Sequence, residues 1–578
     1  MAYPKKFILD KVEHFTDLRH VVEYSERTYG DLPYFTQKIA GKDVVFSFKE
    51  YAALVRKLGT AFSRTGIMGG TAAILAETRY EWGASYLAIA CGGGIVVPLD
   101  KELAPEQIKN FLERSKADTV VYSKTYAKLI EDYARESSML THCVSLDLTE
   151  EEADRTEYKD YGIVSFAGLV KLGEKALAEE CKTFTGHKID NNAPCAYLFT
   201  SGTTGTSKVV MLSHKNIASN IYSAAASVDL KAGDTVVAVL PAHHTYETTC
   251  TFFSTWALGV NIIANESLKT VMNYFKQYKP TKLVLVPLFV DNMVKKINEE
   301  IRKKGKEKTV KKALALSGTL RKVGLDLRRK LFKDILGAFG GNIDGIICGG
   351  APLNPEHIKL FDGFGVKIWQ GYGITECSPL VAVVPEDMWM KKCGSAGHPV
   401  PGTDVKIDEP GEDGIGEILA KGDNVMLGYY GDEEATKATF ADGGWFRTGD
   451  YGYIDKDGYI YVTGRKKNII ILSNGKNIYP EEIEEYLYKI DLIKECAVIE
   501  RKRDGREIIA ALIFPDIDRF TDNSGNVADS VAIKKQIQEA VDKINVSLPV
   551  FKQITEVDVL DQEFEKTSSK KIIRYKLK

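Results

Sequence analysis

The chain is 578 residues long, with 44% hydrophobic and 27% charged residues, too long for one compact core and ordinary in composition for a soluble protein of more than one domain. The 77 Lys and Arg stand against 79 Asp and Glu, a near balance that supplies no basic field for phosphates and excludes nucleic acid as the expected partner. Nine cysteines, odd in number and without a CxxC pair, point to a reducing compartment, hence a cytoplasmic protein, and to no zinc site.

Residues 1–10 carry two lysines and no apolar core segment, so no signal peptide is expected. The longest apolar runs, such as residues 283–290 broken by Pro287, are of strand length and predict no membrane span. Helical periodicity at 48–65 and 355–361 alternates with β-branched runs at 236–240, 283–286, 343–348 and 366–369. That alternation predicts layered α/β subdomains. Between them, Arg302, Lys303, Lys304, Lys306, Lys308, Lys311 and Lys312 stand against Glu307 alone. A solvated helix or loop is the plain reading of this run, and peripheral contact with a membrane surface is the other.

From about residue 403 the pattern changes to hairpins, with 451–454 and 459–463 flanking Asp455-Lys456-Asp457-Gly458. A small β-rich, barrel-like subdomain is expected there. The turn opens like a calcium loop, but Lys466 stands where the twelfth-position glutamate belongs, so it is read as a hairpin turn. Beyond Gly464, a helix from Pro480, strands at 496–500 and 507–514, and a helix at 530–548 predict a separate α+β domain. The expected division is 1–464 for the large domain and 465–578 for the small one.

The strongest local signal is Phe199-Thr200-Ser201-Gly202-Thr203-Thr204-Gly205-Thr206-Ser207-Lys208. Glycines expose backbone N–H groups, hydroxyls add donors, and a lysine adds charge, which together make a cradle for polyphosphate. Lys208 follows Ser207 rather than glycine, so this is not the GxxxxGK[ST] loop; a plain Gly/Ser/Thr surface loop is the alternative for the segment alone. The strip resembles the phosphate-binding loop of the adenylate-forming, or AMP-binding, superfamily. That superfamily includes acyl- and aryl-CoA synthetases, peptide-synthetase adenylation domains and beetle luciferases. Its members usually read Pro-Lys-Gly where this chain has Ser207-Lys208-Val209.

Further strips follow in the family's order over most of the chain. Gly349-Gly350-Ala351-Pro352 resembles the lining of the adenine pocket. Gly371-Tyr372-Gly373-Ile374-Thr375-Glu376 resembles the strip in which the aromatic ring stacks on adenine, the threonine meets the α-phosphate and the glutamate holds magnesium. An aromatic face suits a purine, and a carboxylate is the hard oxygen ligand magnesium prefers. Trp445-Phe446-Arg447-Thr448-Gly449-Asp450 matches the segment whose aspartate accepts from both ribose hydroxyls. Gly464-Arg465-Lys466-Lys467-Asn468 resembles the domain junction, which implies Arg465 near the ribose and Lys467 at the hinge. Lys566-Thr567-Ser568-Ser569-Lys570-Lys571-Ile572-Ile573-Arg574 is similar to the C-terminal catalytic strip. Anchored on Thr567, Ile572 and Arg574, the resemblance makes Lys571 the catalytic lysine, with Lys570 where glycine is usual.

The resemblance as a whole implies activation of a medium- or long-chain fatty acid as acyl-AMP and transfer to coenzyme A, with ATP and Mg2+ as cofactors. It implies Thr200, Ser201, Gly202, Thr203, Thr204, Gly205 and Lys208 at the ATP phosphates. Arg79-Tyr80-Glu81-Trp82, Leu240-Pro241-Ala242-His243-His244-Thr245-Tyr246-Glu247 and residues 474–484 look like long-chain members. His244 matches a histidine near the acyl and ATP sites of relatives, although a lone histidine is often structural. Gly475 resembles the segment brought to the pantetheine tunnel when the small domain turns about Lys467. Gly373 stands where short-acid relatives carry tryptophan, so its missing side chain is expected to leave acyl volume, unless the glycine answers a backbone need. Three alternatives share these strips: a ligase charging acyl carrier protein, a luciferase-like oxygenase, and a nucleotide-binding scaffold without turnover. Ser207, Val209 and Lys570 favour the scaffold, whereas Thr203, Thr204, Glu376, Asp450, Arg465 and Lys571 oppose it.

Overall fold

The periodic run at 48–65 is the helix Phe48–Thr65, opened by Ser47 and Glu50 capping each other's backbone N–H groups and closed by Gly66 at φ 82°. It belongs to a computed structural model that describes residues 7–200, 207–265, 267–472, 477–503, 506–521, 525–566 and 572–577. The chain divides into two compact units. One comprises Met1–Val405, Ala420–Phe446 and Lys456–Ile460, the other Lys406–Leu419, Arg447–Asp455 and Tyr461–Lys578.

Two large sheets build the first unit. In one, the strands Pro33–Ile39, Asn261–Ile263, Thr235–Val237, Lys282–Leu285, Gly345–Gly349 and Lys367–Gly373 run parallel, with antiparallel strands at both edges. Four of them, Thr235–Val237, Lys282–Leu285, Gly345–Gly349 and Lys367–Gly373, fall on the β-branched runs of the sequence, and their near-continuous apolar character follows from burial on both faces. Ligands of such sheets gather beyond the carboxyl ends of the strands, and the glycine-rich strips 349–352 and 371–376 begin there. In the second sheet, Pro194–Thr200 continues a parallel set and pairs antiparallel with Lys208–Ser213, so Thr200 faces Lys208 where the two strands meet. Val97, Leu112, Val120 and Cys143 form its core.

Helix Tyr246–Phe253 was not foreseen from the sequence. It is a π-helix, a form that recurs at functional sites. Its Thr248, Thr249 and Thr251 are all buried, so neither propensity nor a polar face marks it.

In the second unit, Ile493–Arg503 and Arg506–Pro515 pair antiparallel, and Glu556–Val559 runs parallel to the latter. Helices Pro480–Leu487 and Ser530–Asn545 contribute Ile483, Leu487, Ile537 and Val541 to the core against Cys496 and Ile513. The helix predicted to reach 548 stops at Asn545, whose side chain satisfies both backbone polar groups of Ile554 at 2.8 Å. All nine cysteines are free thiols. Among the described residues no helix is long and apolar enough to cross a membrane.

Candidate active site

The phosphate-loop strip enters on an aromatic base: Phe111 stacks on Phe199 at 3.8 Å, and Arg114 lies 5.4 Å over the Phe199 ring while donating to the Ser207 carbonyl at 2.5 Å. Residues 201–206, five of them proposed phosphate contacts, lie outside the described residues. At the exit, the Lys208 ammonium sits 4.4 Å over the Tyr429 ring, and the Tyr429 hydroxyl donates to Glu376 Oε1 at 3.0 Å. Burial and the Glu376 carboxylate push the Tyr429 phenol above its usual range, so it stays a donor. Lys208, Tyr429 and Glu376 therefore link the loop to the Thr-Glu pair. Tyr429 comes from the short strand Gly428–Tyr429 paired with Val210 and Met211, and no sequence signal singled it out.

Thr375 and Glu376 open a short helical turn, Thr375–Cys377, and two buried asparagines fix the chain just beyond it. Asn220 donates to the carbonyls of Cys377 and Leu380 and accepts from the Leu380 N–H, and Asn424 donates to the same two carbonyls. Both were missed by sequence reasoning, since a positioning asparagine leaves no spacing to detect. For magnesium the donor set fits. One carboxylate suits an ion that keeps waters and phosphate oxygens in its shell, and among the described residues no three His, Cys, Asp or Glu side chains gather into an all-protein cage.

An apolar cavity opens beside this strip, between the strand ends and the π-helix. Tyr246 and Cys250 line it from the π-helix, Ser254 from the helix that follows, Gly349, Gly350, Gly371, Tyr372 and Gly373 from the strips, and none of its lining residues is charged. Gly350 adopts φ 93°, which favours glycine, while Ala351 and Pro352 are exposed. Gly373 lines the cavity, and of the two readings of its bareness the backbone one has a direct observation. A Cβ there would stand 2.4 Å from the Pro379 carbonyl oxygen and 2.9 Å from its carbon. The glycine answers a close backbone approach on a strip that also faces the cavity.

His244 begins the turn that leads into the π-helix, accepting at its carbonyl from Thr248 N–H at 2.9 Å. Its ring centroid lies 4.1 Å from that of His243. Burial and the neighbouring His244 hold His243 far below the usual histidine range, so its 3.6 Å approach to Asp100 is not an ion pair at neutral pH. On the same helix Glu247 is fully buried and accepts from the Thr251 hydroxyl at 2.9 Å. Burial pushes its pKa up to about 8, partly opposed by hydrogen bonds from Thr251 and the Leu240 N–H.

This carboxyl makes stability pH-dependent. Between the unfolded value near 4.5 and about 8, the folded chain holds a proton that the unfolded chain has lost, so stability falls as pH rises, by about 1.4 kcal/mol per unit at most. Glu247→Gln removes that slope. Its melting temperature is expected to decline less than wild type between pH 6 and 8 by scanning calorimetry; equal declines would show that Glu247 is ionised in the fold.

In the second unit, Asp450 is 3% exposed on the strand Trp445–Ile454, with Arg465 Nε 2.7 Å from its Oδ1. Thr448 Oγ1 accepts from the Asp450 N–H at 3.1 Å and donates to the Ile418 carbonyl at 2.7 Å. Lys466 and Arg447 both reach Glu417 Oε2, at 2.7 and 3.1 Å. Desolvation and the Arg465 and Arg574 cations hold the Lys467 ammonium below the usual lysine range. Arg574 pairs with Glu484, and Glu484 also accepts from the Val498 N–H. Lys566 pairs with Glu495 and with Ile572 across an antiparallel bridge. Lys571, Lys570 and Gly475 lie outside the described residues.

Residues 22–430 match the family described as AMP-binding enzyme, and residues 467–578 match the AMP-binding enzyme C-terminal domain. The long-chain-fatty-acid–CoA ligase FadD15 of Mycobacterium bovis is 27% identical, over 96% of this chain and 92% of its own. The chloroplastic long-chain-fatty-acid–acyl-carrier-protein ligase AEE15 of Arabidopsis thaliana is 28% identical, over 76% of this chain and 68% of its own. Among solved structures, the anthranilate CoA ligase AuaEII in complex with anthranoyl-AMP superposes at a TM-score of 0.74 and 20% identity, over 98% of this chain and 97% of its own. That last likeness is one of fold.

Proposed function

Since this chain belongs to the AMP-binding enzyme family and is an AMP-forming ligase, we propose that its acid is a medium- or long-chain fatty acid and its acceptor the thiol of coenzyme A. The cavity beside the Gly371–Gly373 strip carries this reading: its lining is uncharged and largely aliphatic, so a hydrocarbon tail is matched and a second carboxylate or an ammonium would find no counter-charge.

In this reading the carboxylate attacks the α-phosphorus of ATP, pyrophosphate leaves, and acyl-AMP forms. The thiolate then attacks the acyl carbon, and AMP departs with the bonding electrons. Tyr372 stacks on adenine beside Gly350, Ala351 and Pro352, and Asp450, held by Arg465, accepts from the ribose hydroxyls. Thr200, residues 201–205 and Lys208 hold the phosphates, with Thr375 at the α-phosphate and Lys571 stabilising the charge that grows there. Magnesium, when bound through Glu376, supplies neutralisation of the phosphate charge. The Tyr429 hydroxyl orients that carboxylate. His244, two residues before the helix that walls the cavity, is assigned to the acid's carboxylate on the resemblance alone. Residues 465–578 turn about Lys467 after the first step and bring Gly475 to the thiol's path.

The 28% identity to an acyl-carrier-protein ligase keeps a second acceptor in view. ATP–pyrophosphate exchange across acids from acetate to palmitate, followed by AMP release with coenzyme A or with holo acyl carrier protein, tests both points. Exchange is expected to rise with chain length and AMP release to require coenzyme A. A preference for acetate or aryl acids would overturn the substrate class, and release with the carrier protein alone would change the acceptor.

A further inference from the structure

We propose that the helical segment 302–333 is a docking surface for anionic lipid bilayers. The segment holds 13 Lys and Arg against only Glu307 and Asp326, in a chain whose net charge is −2. It is therefore a strongly cationic island on an otherwise acidic protein. The charge is displayed on structure: the helix Glu307–Lys322 buries only Ser317. Its inner face is tied down, since Leu314 packs where a Cβ of Gly363 would lie and Arg321 grips Asp362 at 2.8 and 3.1 Å. Arg328 also pairs with Asp326 and Asp362, and Arg329 donates to the carbonyls of Gly341 and Ile343.

Arg321, Arg328 and Arg329 thus hold the segment to the fold, and the lysines are exposed. Among the described residues, Lys308, Lys311, Lys312, Lys322, Lys330 and Lys333 make no ion pair. Helical spacing sets Lys308, Lys311, Lys312, Leu316, Lys322 and Val323 on one outer arc. Aliphatic side chains are interleaved with these cations: Leu316 is 53% exposed, Val323 72% and Leu325 54%, with Leu327 and Leu331 exposed beside them. Five of the 20 exposed large hydrophobic residues among those described fall in these 32 positions.

Clustered exposed aliphatics mark an interaction surface. Cations interleaved with aliphatic groups that can enter the acyl boundary match an anionic membrane interface. A nucleic acid is matched less well. The segment's one aromatic residue, Phe332, is 3% exposed, so no ring is available for a base to stack on. Docking there would set a ligase that uses fatty acids against the phase in which long acids partition. That purpose rests on the proposed substrate class, whereas the binding itself does not.

Sedimentation of the full-length chain with phosphatidylcholine vesicles, with and without phosphatidylserine, tests the surface without any turnover, so its failure is separable from failure of the substrate reading. Binding is expected only with phosphatidylserine and is expected to weaken as salt rises. Lys308→Glu, Lys312→Glu and Lys322→Glu together should lower the partition coefficient by at least about a hundredfold. Leu316→Ser with Val323→Ser should lower it while leaving the salt dependence in place, and adenylation of a soluble short acid should be unchanged in both variants. Absence of binding, equal binding to both vesicle types, or binding to single-stranded RNA that the Leu316 and Val323 changes leave intact would each overturn the proposal.

Discussion

Lys571→Ala is expected to lower acyl-adenylate formation by a factor on the order of a hundred or more, as befits loss of a charge contact made in the transition state. Thioester formation from presynthesised acyl-adenylate should survive. The side chains on either side of the strip are anchored: Lys566 pairs with Glu495 and Glu563, and Arg574 with Glu484. Lys467→Pro should give the opposite result. Proline fixes φ at the junction and disfavours the helical conformation of Lys466 before it, so adenylation should persist while thioester formation drops. Melting curves matching wild type would separate both results from unfolding. The assignment of Lys571 fails if both half-reactions fall together, or if Lys570→Ala alone produces the loss.

Much of the architecture was legible because local signals agreed. The periodic run at 48–65 is the helix Phe48–Thr65 without adjustment, and Ser47, Glu50 and Gly66 bracket it in the structure. The β-branched runs at 283–286 and 366–369 became the parallel strands Lys282–Leu285 and Lys367–Gly373, shifted by one residue where they begin. Sheet order was not legible, because pairing Phe35 with Ile262 is a long-range choice that no short window encodes. The π-helix Tyr246–Phe253 escaped for a different reason: it is buried almost all round, and burial on every side erases the apolar stripe by which a helix is recognised.

For the candidate site, the strips that place backbone and charge against nucleotide could be read from residue order, as with Gly371 to Glu376. The groups that hold those strips could not. Tyr429, Asn220 and Asn424 act through single hydrogen bonds between segments far apart in the chain, and a hydrogen bond at one position leaves no periodicity. Gly373 shows a subtler limit. A missing side chain reads the same whether a ligand or the protein's own backbone occupies the space, and only the 2.4 Å approach to Pro379 distinguishes them.

On the proposed fatty-acid reading, that distinction makes Gly371, rather than Gly373, the position at which acyl length is expected to be controlled. Gly371 lines the cavity opposite Val383 on the neighbouring strand. A Cβ there would meet Leu380 Cδ1 at 3.4 Å and the Ala382 carbonyl oxygen at 3.7 Å, which are ordinary contacts with room to adjust. Gly371→Leu should therefore fold and fill part of the cavity. Displacing about three methylenes of a long acid, each contributing up to about 0.8 kcal/mol when buried, lowers kcat/KM on that acid by about fiftyfold, while acetate and propionate, which do not reach the added side chain, keep their rates. Gly373→Ala should behave otherwise. Its Cβ drives into the Pro379 carbonyl, which also accepts the Ile374 N–H at 2.9 Å, so the strip must distort and activity should fall for all acids alike, with a lowered melting temperature. Measuring kcat/KM from acetate to palmitate, with the ATP KM alongside, separates the two glycines. A folded Gly371→Leu enzyme that loses short and long acids equally would show that this position serves the nucleotide strip and not the acyl cavity.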